Sequence, residues 1–153
     1  LRYWTDAGQA RLAPEAHRPF FAFAGSALKP YADAGRVKPF GGSTELTPGI
    51  RAISANGHTH GHTVYRVESA GRQLLVWGDV MHVGAVQFPE PQVTIVFDTD
   101  SPKAARARSK VFAEAAAGGV IVAAAHQPFP GLGRLVRAGK GYRFVPYPYD
   151  GEK

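Results

Sequence analysis

A helix followed at once by a buried strand constrains the fold of this chain more than any other feature. Residues 101–117 predict the helix. Ser101 can cap its first turn, Pro102 suits its first position, and the glycines at 118–119 can end it. The next six residues, 120–125, are all apolar, which is typical of a strand in a sheet covered on both faces. The sequence therefore predicts an α/β fold.

A second helix is predicted over about residues 13–35, where aromatic and leucine residues recur near helical spacing. Pro14 near its start and Gly35 just past its end fit the usual residues at helix ends. We expect a short strand to follow at residues 37–40.

The region between the two helices has the pattern of β structure. Residues 50–54 and 64–68 alternate between apolar and polar, and residues 74–77 form an apolar strand. A last strand is expected at residues 142–145. Since the chain contains no internal repeat and no linker, we interpret residues 1–153 as one α/β unit.

Composition excludes several classes of protein. With 153 residues, 44% of them hydrophobic and 20% charged, the chain can bury a real core and is not disordered throughout. No apolar run approaches the roughly 18 residues of a membrane span, so we expect no membrane partner. The absence of cysteine excludes a disulfide scaffold, a thiolate metal site and a thiol nucleophile. Composition does not fix the compartment, and periplasmic, secreted and cytoplasmic locations all stay open.

The net charge of +6 raises the question of a nucleic-acid partner. The basic residues are dispersed, however, and several of them decorate the helix at residues 101–117 without aromatic residues between them for base stacking. We interpret them as a solvated helix face and expect no nucleic-acid partner.

Histidine and aspartate residues occur where apolar strands end. Asp79 and His126 each follow such a strand, and His58, His60 and His62 lie between two predicted strands. In open α/β sheets, ligands bind in a crevice at the strand ends. Imidazole and carboxylate groups together suit zinc, manganese, iron or cobalt. The pattern predicts a metal site, and the alternative is a polar loop with incidental histidines.

The three alternating histidines could share one face of an extended segment and bind a metal together. Gly57 and Gly61 instead indicate a turn. This interpretation favours one histidine as a ligand, with another supporting it by a hydrogen bond.

Three motifs together resemble the second half of a metallo-β-lactamase-fold hydrolase. They are GHTHGHTVY at residues 57–65, WGDV at 77–80 and AAAHQPFPG at 123–131. The segments at 78–91, 97–119 and 139–147 resemble the methyl parathion hydrolase-like branch in particular. The resemblance implies that residues 1–153 form the C-terminal half of an αβ/βα sandwich.

The resemblance also implies roles for individual residues. His58, Asp79 and His126 match metal ligands, with Asp79 bridging two ions and positioning the hydroxide that attacks the substrate. His62 matches a supporting position. The implied cofactor is a pair of divalent ions, zinc first, with manganese, iron or cobalt as alternatives.

One family motif is absent from the sequence. The signature H-x-H-x-D-H, which supplies most ligands of both ions in this family, occurs nowhere in the chain. We therefore expect the missing N-terminal half of the same protein to be a partner, and this chain alone to be inactive. We also expect an exposed apolar sheet face to favour association, for example as a homodimer.

Four further residues match the substrate pocket of the methyl parathion hydrolase-like branch. Trp4, Phe20 and Phe97 would wall an apolar pocket, and His82 would tune it or hydrogen-bond a leaving group. The alternative is that the aromatic residues are core and that His82 is a surface or supporting residue.

Two nearby segments are given no catalytic role. Asp98 and Asp100 resemble a carboxylate pair but are interpreted as part of a turn before the helix. Residues 131–134 are expected to form a loop that closes over the site.

These observations predict a metal-dependent hydrolase of ester-like bonds, acting on an organophosphate triester, a lactone or an aryl ester. A thioester hydrolase of the glyoxalase kind is a related hypothesis within the same fold. The alternative from another class is a non-catalytic truncated domain that serves as a binding or assembly module.

Overall fold

The computed structural model describes residues 1–148, which divide into two compact units, Leu1–Gly41 and the chain from Gly42 onward. The first unit is helical. Its elements are 3₁₀ turns at Tyr3–Thr5 and Glu15–His17 and the helices α1 (Ala7–Leu12) and α2 (Arg18–Asp33).

Helix α2 is the helix predicted near the N-terminus, but it begins later than expected. The segment Glu15–His17 forms its own 3₁₀ turn, so the α-helix starts at Arg18, and it continues through Pro30 to Asp33. The prediction of a strand at residues 37–40 is wrong. That segment has no regular structure, and Pro39 within it has no N–H group to give to a sheet.

The second unit contains a seven-stranded sheet whose strand order follows the sequence. Its strands are β1 (Thr44–Thr47), β2 (Ile50–Ser54), β3 (Thr63–Ser69), β4 (Arg72–Val76), β5 (Ile121–Ala123), β6 (Leu132–Ala138) and β7 (Gly141–Pro146). Strands β4 and β5 are parallel, and the other neighbours are antiparallel. Parallel neighbours need a crossover, which is supplied here by α3 (Gly84–Gln87) and α4 (Ser101–Gly118).

Helix α4 confirms the helix expected there and forms the core with the sheet. Its cap differs from the prediction, because Asp100 and not Ser101 accepts a hydrogen bond from the backbone N–H of Lys103, at 3.0 Å. Phe112 is fully buried and belongs to one apolar cluster with Leu75 and Val122 of the sheet. Because a buried Phe stabilises a fold by about 1.5–3 kcal/mol, this contact anchors the crossover on the sheet.

Residues 131–134 differ from the prediction, because most of them belong to β6 rather than to a loop. Gly133 pairs with Val122 of β5 on one side and with Pro146 of β7 on the other. A Cβ atom at residue 133 would collide with the ring of Phe144, so glycine here permits close packing within a strand.

The parallel pair β4–β5 positions the candidate site. Leu75 pairs with Val122, so the two strands run side by side and end at the same edge of the sheet. The residues that follow them, Asp79 and His126, leave the sheet at that edge. Within residues 1–148, none of the helices has both the length and the apolar character needed to cross a lipid bilayer.

Candidate metal centre

Four side chains from three loops meet at the edge where β4 and β5 end. His58 lies in the loop between β2 and β3, and Asp79 lies in the 3₁₀ turn Gly78–Val80 that follows β4. His82 comes three residues after Asp79, and His126 comes three residues after the end of β5. Separate segments of the chain therefore contribute to one polar cluster.

The loop that carries His58 is a turn held by its own backbone and by the start of α4. Gly57 has a φ of 145°, and a Cβ atom there would collide with the backbone of Ala104. The carbonyl oxygen of His58 accepts a hydrogen bond from the N–H of Thr99 at 2.9 Å. The loop packs directly against the N-terminus of α4, so residue 57 must be glycine. The hydrogen bond from Thr99 holds the backbone of His58 in place.

This turn separates the three alternating histidines. His58 and His62 face each other with ring centroids 5.9 Å apart. His60 instead lines a small polar pocket with Asp100 and Lys103. The structure therefore does not bring the three together as one ligand set.

Asp79 lies at the centre of the cluster. Its Oδ1 atom is 2.9 Å from Nε2 of His126, and its Oδ2 atom is 3.6 Å from Nε2 of His58. Its backbone N–H donates to Nε2 of His62 at 3.0 Å. Each carboxylate oxygen of Asp79 thus faces a different histidine, and His62 fixes the backbone of Asp79 by accepting its N–H.

The surroundings keep Asp79 ionised. Burial alone would raise the pKa of its carboxyl group. The hydrogen bond with His126 and the positive charges that His58 and His82 can carry outweigh burial, so the pKa is lower than the ordinary value.

His82 is a neutral imidazole at neutral pH. Burial, reinforced by the charges of His58 and His126, lowers the pKa of His82 to about 4. Its ring stacks on His126 with centroids 4.4 Å apart and lies 4.7 Å from the ring of His58. Its Nδ1 atom is buried and has no hydrogen-bond partner among residues 1–148.

The donor set fits a divalent metal ion. His58, Asp79 and His82 each offer one ligand atom, and these atoms lie within 4.8 Å of one another. His126 adds a fourth nitrogen beside Asp79. Imidazoles and a carboxylate suit zinc, manganese, iron or cobalt. The predicted ligands His58, Asp79 and His126 are thus brought together, and His82, predicted for the pocket, lies among them.

The backbone of His126 is strained. Its φ is 62°, in the left-handed region that costs a residue with a Cβ atom about 1–2 kcal/mol. Such strain persists where the surrounding structure holds it, often at functional sites. In this conformation the imidazole of His126 reaches Asp79 from the segment that follows β5.

Sequence reasoning missed the group behind His58. Asp98 is buried, and its Oδ1 atom lies 3.1 Å from Nδ1 of His58. Its Oδ2 atom lies 3.5 Å from Nη2 of Arg108, which is also buried. One signal could have found this pair, since Arg108 lies on the apolar stripe of α4 with Ala104 and Phe112. A charged residue there needs a buried partner.

Gln87, at the end of α3, is fully buried beside the site. Its Oε1 atom accepts hydrogen bonds from the N–H groups of His82 at 2.8 Å and Val83 at 3.0 Å. Its Nε2 atom donates to the carbonyl oxygen of Val93 at 3.0 Å. Gln87 therefore fixes the backbone that carries His82.

The predicted aromatic pocket residues do not lie in one unit. Trp4 and Phe20 lie in the first unit, where Trp4 packs against Phe21 with centroids 4.9 Å apart, and Phe20 is 45% exposed. Phe97 lies in the second unit and is 63% exposed. Their role as pocket residues stays a prediction.

An apolar groove, which sequence reasoning did not predict, lies in the second unit beside the loop that follows His126. Its volume is about 540 Å³. Its lining includes Phe88, Gln127, Phe129, Tyr142 and Phe144. The groove offers apolar surface close in sequence to two residues of the cluster.

Comparisons with known proteins were made by family, by sequence and by structure. No family model matches the chain, and no curated protein matches it either. Among solved structures, it is similar to the hydrolase AbOPH of the beta lactamase superfamily, with 32% identity and a TM-score of 0.89 over 97% of this chain and 52% of that one.

Two further solved structures share the fold. The dizinc quorum-quenching lactonase AidC is 23% identical, with a TM-score of 0.83 over 98% of this chain and 52% of that one. A probable metal-dependent hydrolase from Staphylococcus aureus is 18% identical, with a TM-score of 0.62 over 74% of this chain and 41% of that one. The chain thus spans about half the length of the first two.

Proposed function

The chain has the fold of metallo-β-lactamase superfamily hydrolases over about half of their length, and from this premise we propose that it supplies part of the active site of a metal-dependent hydrolase. The substrate class is an ester-like bond in a small apolar molecule, namely a lactone, an aryl ester or an organophosphate triester. One observation carries the proposal. Asp79 turns one oxygen toward His126 and the other toward His58, as a carboxylate that bridges two ions would.

The ligand roles follow from the atoms that face one another. His58 and His126 would each bind through Nε2, and Asp79 through both of its oxygens. His82 can add a further nitrogen or line the substrate site. A pair of divalent ions, zinc first among the candidates, would lower the pKa of bound water to near 7 and so supply a nucleophile.

The other residues of the cluster hold these groups in place. Nε2 of His62 accepts a hydrogen bond from the backbone N–H of Asp79 and so fixes the backbone from which the carboxylate extends. Because burial and the charge of His58 lower the pKa of His62, its ring is neutral at neutral pH and Nε2 keeps its lone pair for that hydrogen bond. His82 is neutral for a similar reason, and because its Nδ1 atom is buried, Nε2 is the ring nitrogen that it can offer to a metal ion or to substrate.

The donors that residues 1–148 bring to the cluster do not fill the coordination of two ions. Zinc takes four or five ligands, and two ions sharing Asp79 need more than His58, His82 and His126 provide. We propose that the remaining ligands come from a polypeptide that corresponds to the other half of the fold. Alone, the chain is expected to bind metal weakly and to hydrolyse esters poorly.

Substrate class is supported by one comparison. AidC is a lactonase whose structure holds the product N-hexanoyl-L-homoserine, the opened form of a lactone with an acyl chain. The groove of about 540 Å³ in this chain is lined largely by aromatic and proline residues and suits an apolar group of similar kind.

The second candidate function, a non-catalytic binding or assembly module, is favoured by the exposure of Phe129. This residue borders the groove and is 80% exposed. Exposed apolar surface of this kind marks interaction sites. The module would use the groove and would not depend on Asp79.

The proposal is tested by metal content and ester hydrolysis, measured on the chain alone and together with a polypeptide supplying the rest of the fold. We expect bound zinc and hydrolysis of a lactone, aryl ester or phosphotriester in the combined protein, both lost in Asp79→Ala. Asp33→Ala, which changes an exposed carboxylate paired with Lys29, is the matched control. A combined protein that binds no metal would refute the proposal and favour the binding module.

A further inference from the structure

A buried ion pair lies behind the candidate metal centre. The side chains of Asp98 and Arg108 are 0% and 1% exposed. Taking two charges out of water costs free energy that an isolated pair does not always recover, and an apolar residue at position 108 would continue the stripe of α4. The pair therefore calls for an explanation beyond stability.

Arg108 ties together two segments that lead to the cluster. Its Nε atom donates to the carbonyl oxygen of Val80 at 2.7 Å, one residue beyond Asp79. Its Nη1 atom donates to the carbonyl oxygens of Pro91 at 2.9 Å and Val93 at 2.6 Å. The guanidinium thus holds both the turn that carries Asp79 and the segment that leads to Asp98.

Asp98 is held on one oxygen and directs the other at the metal centre. Its Oδ2 atom accepts the N–H of Ile95 at 3.1 Å and faces Nη2 of Arg108 at 3.5 Å. Its Oδ1 atom lies 3.1 Å from Nδ1 of His58. A carboxylate beside a guanidinium can only accept, so the proton between Asp98 and His58 belongs to Nδ1.

We propose, resting on the metal centre proposed above, that Asp98 held by Arg108 is the positioning residue that fixes His58 in its Nδ1–H tautomer. In that tautomer Nε2 has no proton, and its lone pair faces Asp79 across 3.6 Å. Metal-binding histidines generally donate their other N–H to such a partner. Because Arg108 also holds the carbonyl of Val80, one guanidinium sets the positions of two ligands.

A role in packing alone predicts different behaviour. If the pair only stabilised the fold, replacing Asp98 would change stability and leave the tautomer of His58 and the intrinsic metal affinity of the folded protein unaltered. The tautomer is thus the property that separates the two roles.

The first measurement is the tautomer of His58 in the metal-free chain, read from imidazole nitrogen-15 chemical shifts in long-range proton–nitrogen spectra. We expect a protonated Nδ1 and an unprotonated Nε2. A His58 that carries its proton on Nε2 overturns the proposal. The same spectra of metal-free Asp98→Asn should show that this preference is lost, and an unchanged tautomer in the folded variant overturns the positioning role.

The second measurement is zinc affinity, by calorimetric titration of the combined protein, with the 153-residue chain either unaltered or carrying Asp98→Asn. We expect the variant to bind zinc about 10–100-fold more weakly. Asp100→Asn is the matched control, since the side chain of Asp100 caps α4 and pairs with Lys103. Its zinc affinity should equal that of the unaltered chain.

The outcomes separate this proposal from the one on which it rests. A folded Asp98→Asn chain with unchanged zinc affinity overturns the positioning role alone. A combined protein that carries the unaltered chain and still binds no zinc overturns both the positioning role and the metal centre. If Asp98→Asn does not fold, the tautomer of the unaltered chain decides.

Discussion

At the scale of single residues, the carboxylate of Asp79 is the group on which the candidate centre depends. Replacing it with Asn keeps the size of the side chain but removes the charge that faces His58 and His126. We expect Asp79→Asn to lower zinc affinity at least about tenfold, measured by calorimetric titration. Asp33→Asn, at an exposed position at the end of α2, should leave the zinc affinity unchanged. Equal losses in both variants would contradict a specific role for Asp79.

His62 offers a second residue-scale prediction. His62→Ala removes the acceptor for the part-buried N–H of Asp79, and a donor that is shielded from water and left unsatisfied costs about 1–3 kcal/mol. We expect the free energy of unfolding in urea to fall by that amount. His60→Ala is the control from the same loop, and because His60 is exposed we expect a change within about 0.5 kcal/mol. A larger loss in His60→Ala than in His62→Ala would contradict the arrangement.

The residues that sequence alone could identify share one property. Asp79 and His126 follow apolar strands, so their positions at a sheet edge could be inferred from local pattern. Asp98 could not be identified from local pattern, because its interactions join it to His58, 40 residues away, and to Arg108 on α4, whose place on the apolar stripe indicates only that a buried partner exists. Which of two aspartates, Asp98 or Asp100, turns inward is decided by packing.

At the scale of elements, α4 carries the core of the second unit. Phe112 is fully buried against Trp77 and Phe88, with ring centroids 5.3 and 5.4 Å away. We expect Phe112→Ala to destabilise the fold by about 3–5 kcal/mol in urea denaturation. Phe129→Ala, on an exposed side chain, should change stability by far less. Comparable losses in the two variants would show that α4 does not pack as described.

The start of α4 should give stability a dependence on acid pH. A side-chain hydrogen bond with Lys103 and the helix N–H groups lower the pKa of Asp100 below its ordinary value. A carboxyl group with a lowered folded pKa stabilises the fold above its unfolded pKa of about 3.9, and this contribution disappears as pH falls through the folded pKa.

Asp100→Asn tests this dependence, because it keeps an oxygen that can cap the helix but cannot titrate. We expect the melting temperature of the variant to fall less than that of the unaltered chain between about pH 5 and pH 2. Parallel melting curves across that range would contradict the prediction.

Sequence pattern predicted elements well where the pattern was long. The helix at residues 101–117 and the strands near residues 50, 64, 74 and 121 were all found. The errors fell in short segments. Residues 37–40 contain Pro39, which has no N–H group for a sheet, and residues 131–134 contain two glycines, which favour a turn. Residues 131–134 pair with strands on both sides, so tertiary pairing overrides the turn tendency of Gly133.

At the scale of the whole molecule, metal binding should appear as added stability. An ion that binds only the folded chain raises its stability by about 2.7 kcal/mol when its free concentration is 100 times the dissociation constant. We expect zinc to raise the melting temperature and EDTA to reverse the rise. Asp79→Asn should show a much smaller rise. A zinc effect that is equal in both proteins would place the bound ion elsewhere.

The fold of the whole chain could be predicted because three motifs and their order resemble one family, and the comparison with AbOPH confirms that fold. The division at residues 41–42 was not predicted, because no change in composition marks it. Association as a homodimer and the substrate pocket formed by Trp4, Phe20 and Phe97 stay predictions.

The order of the strands has a consequence for how the second unit assembles. Five of its six pairings join strands that are neighbours in sequence and antiparallel, and hairpins of this kind form within about 1–10 μs. Only β4 and β5 must wait for the long crossover to close and for α4 to dock. That pairing is also the one that brings Asp79 to His126. The slowest step of folding should therefore be the step that completes the metal centre, and until the sheet has closed, the cluster lacks the nitrogen that His126 places beside Asp79.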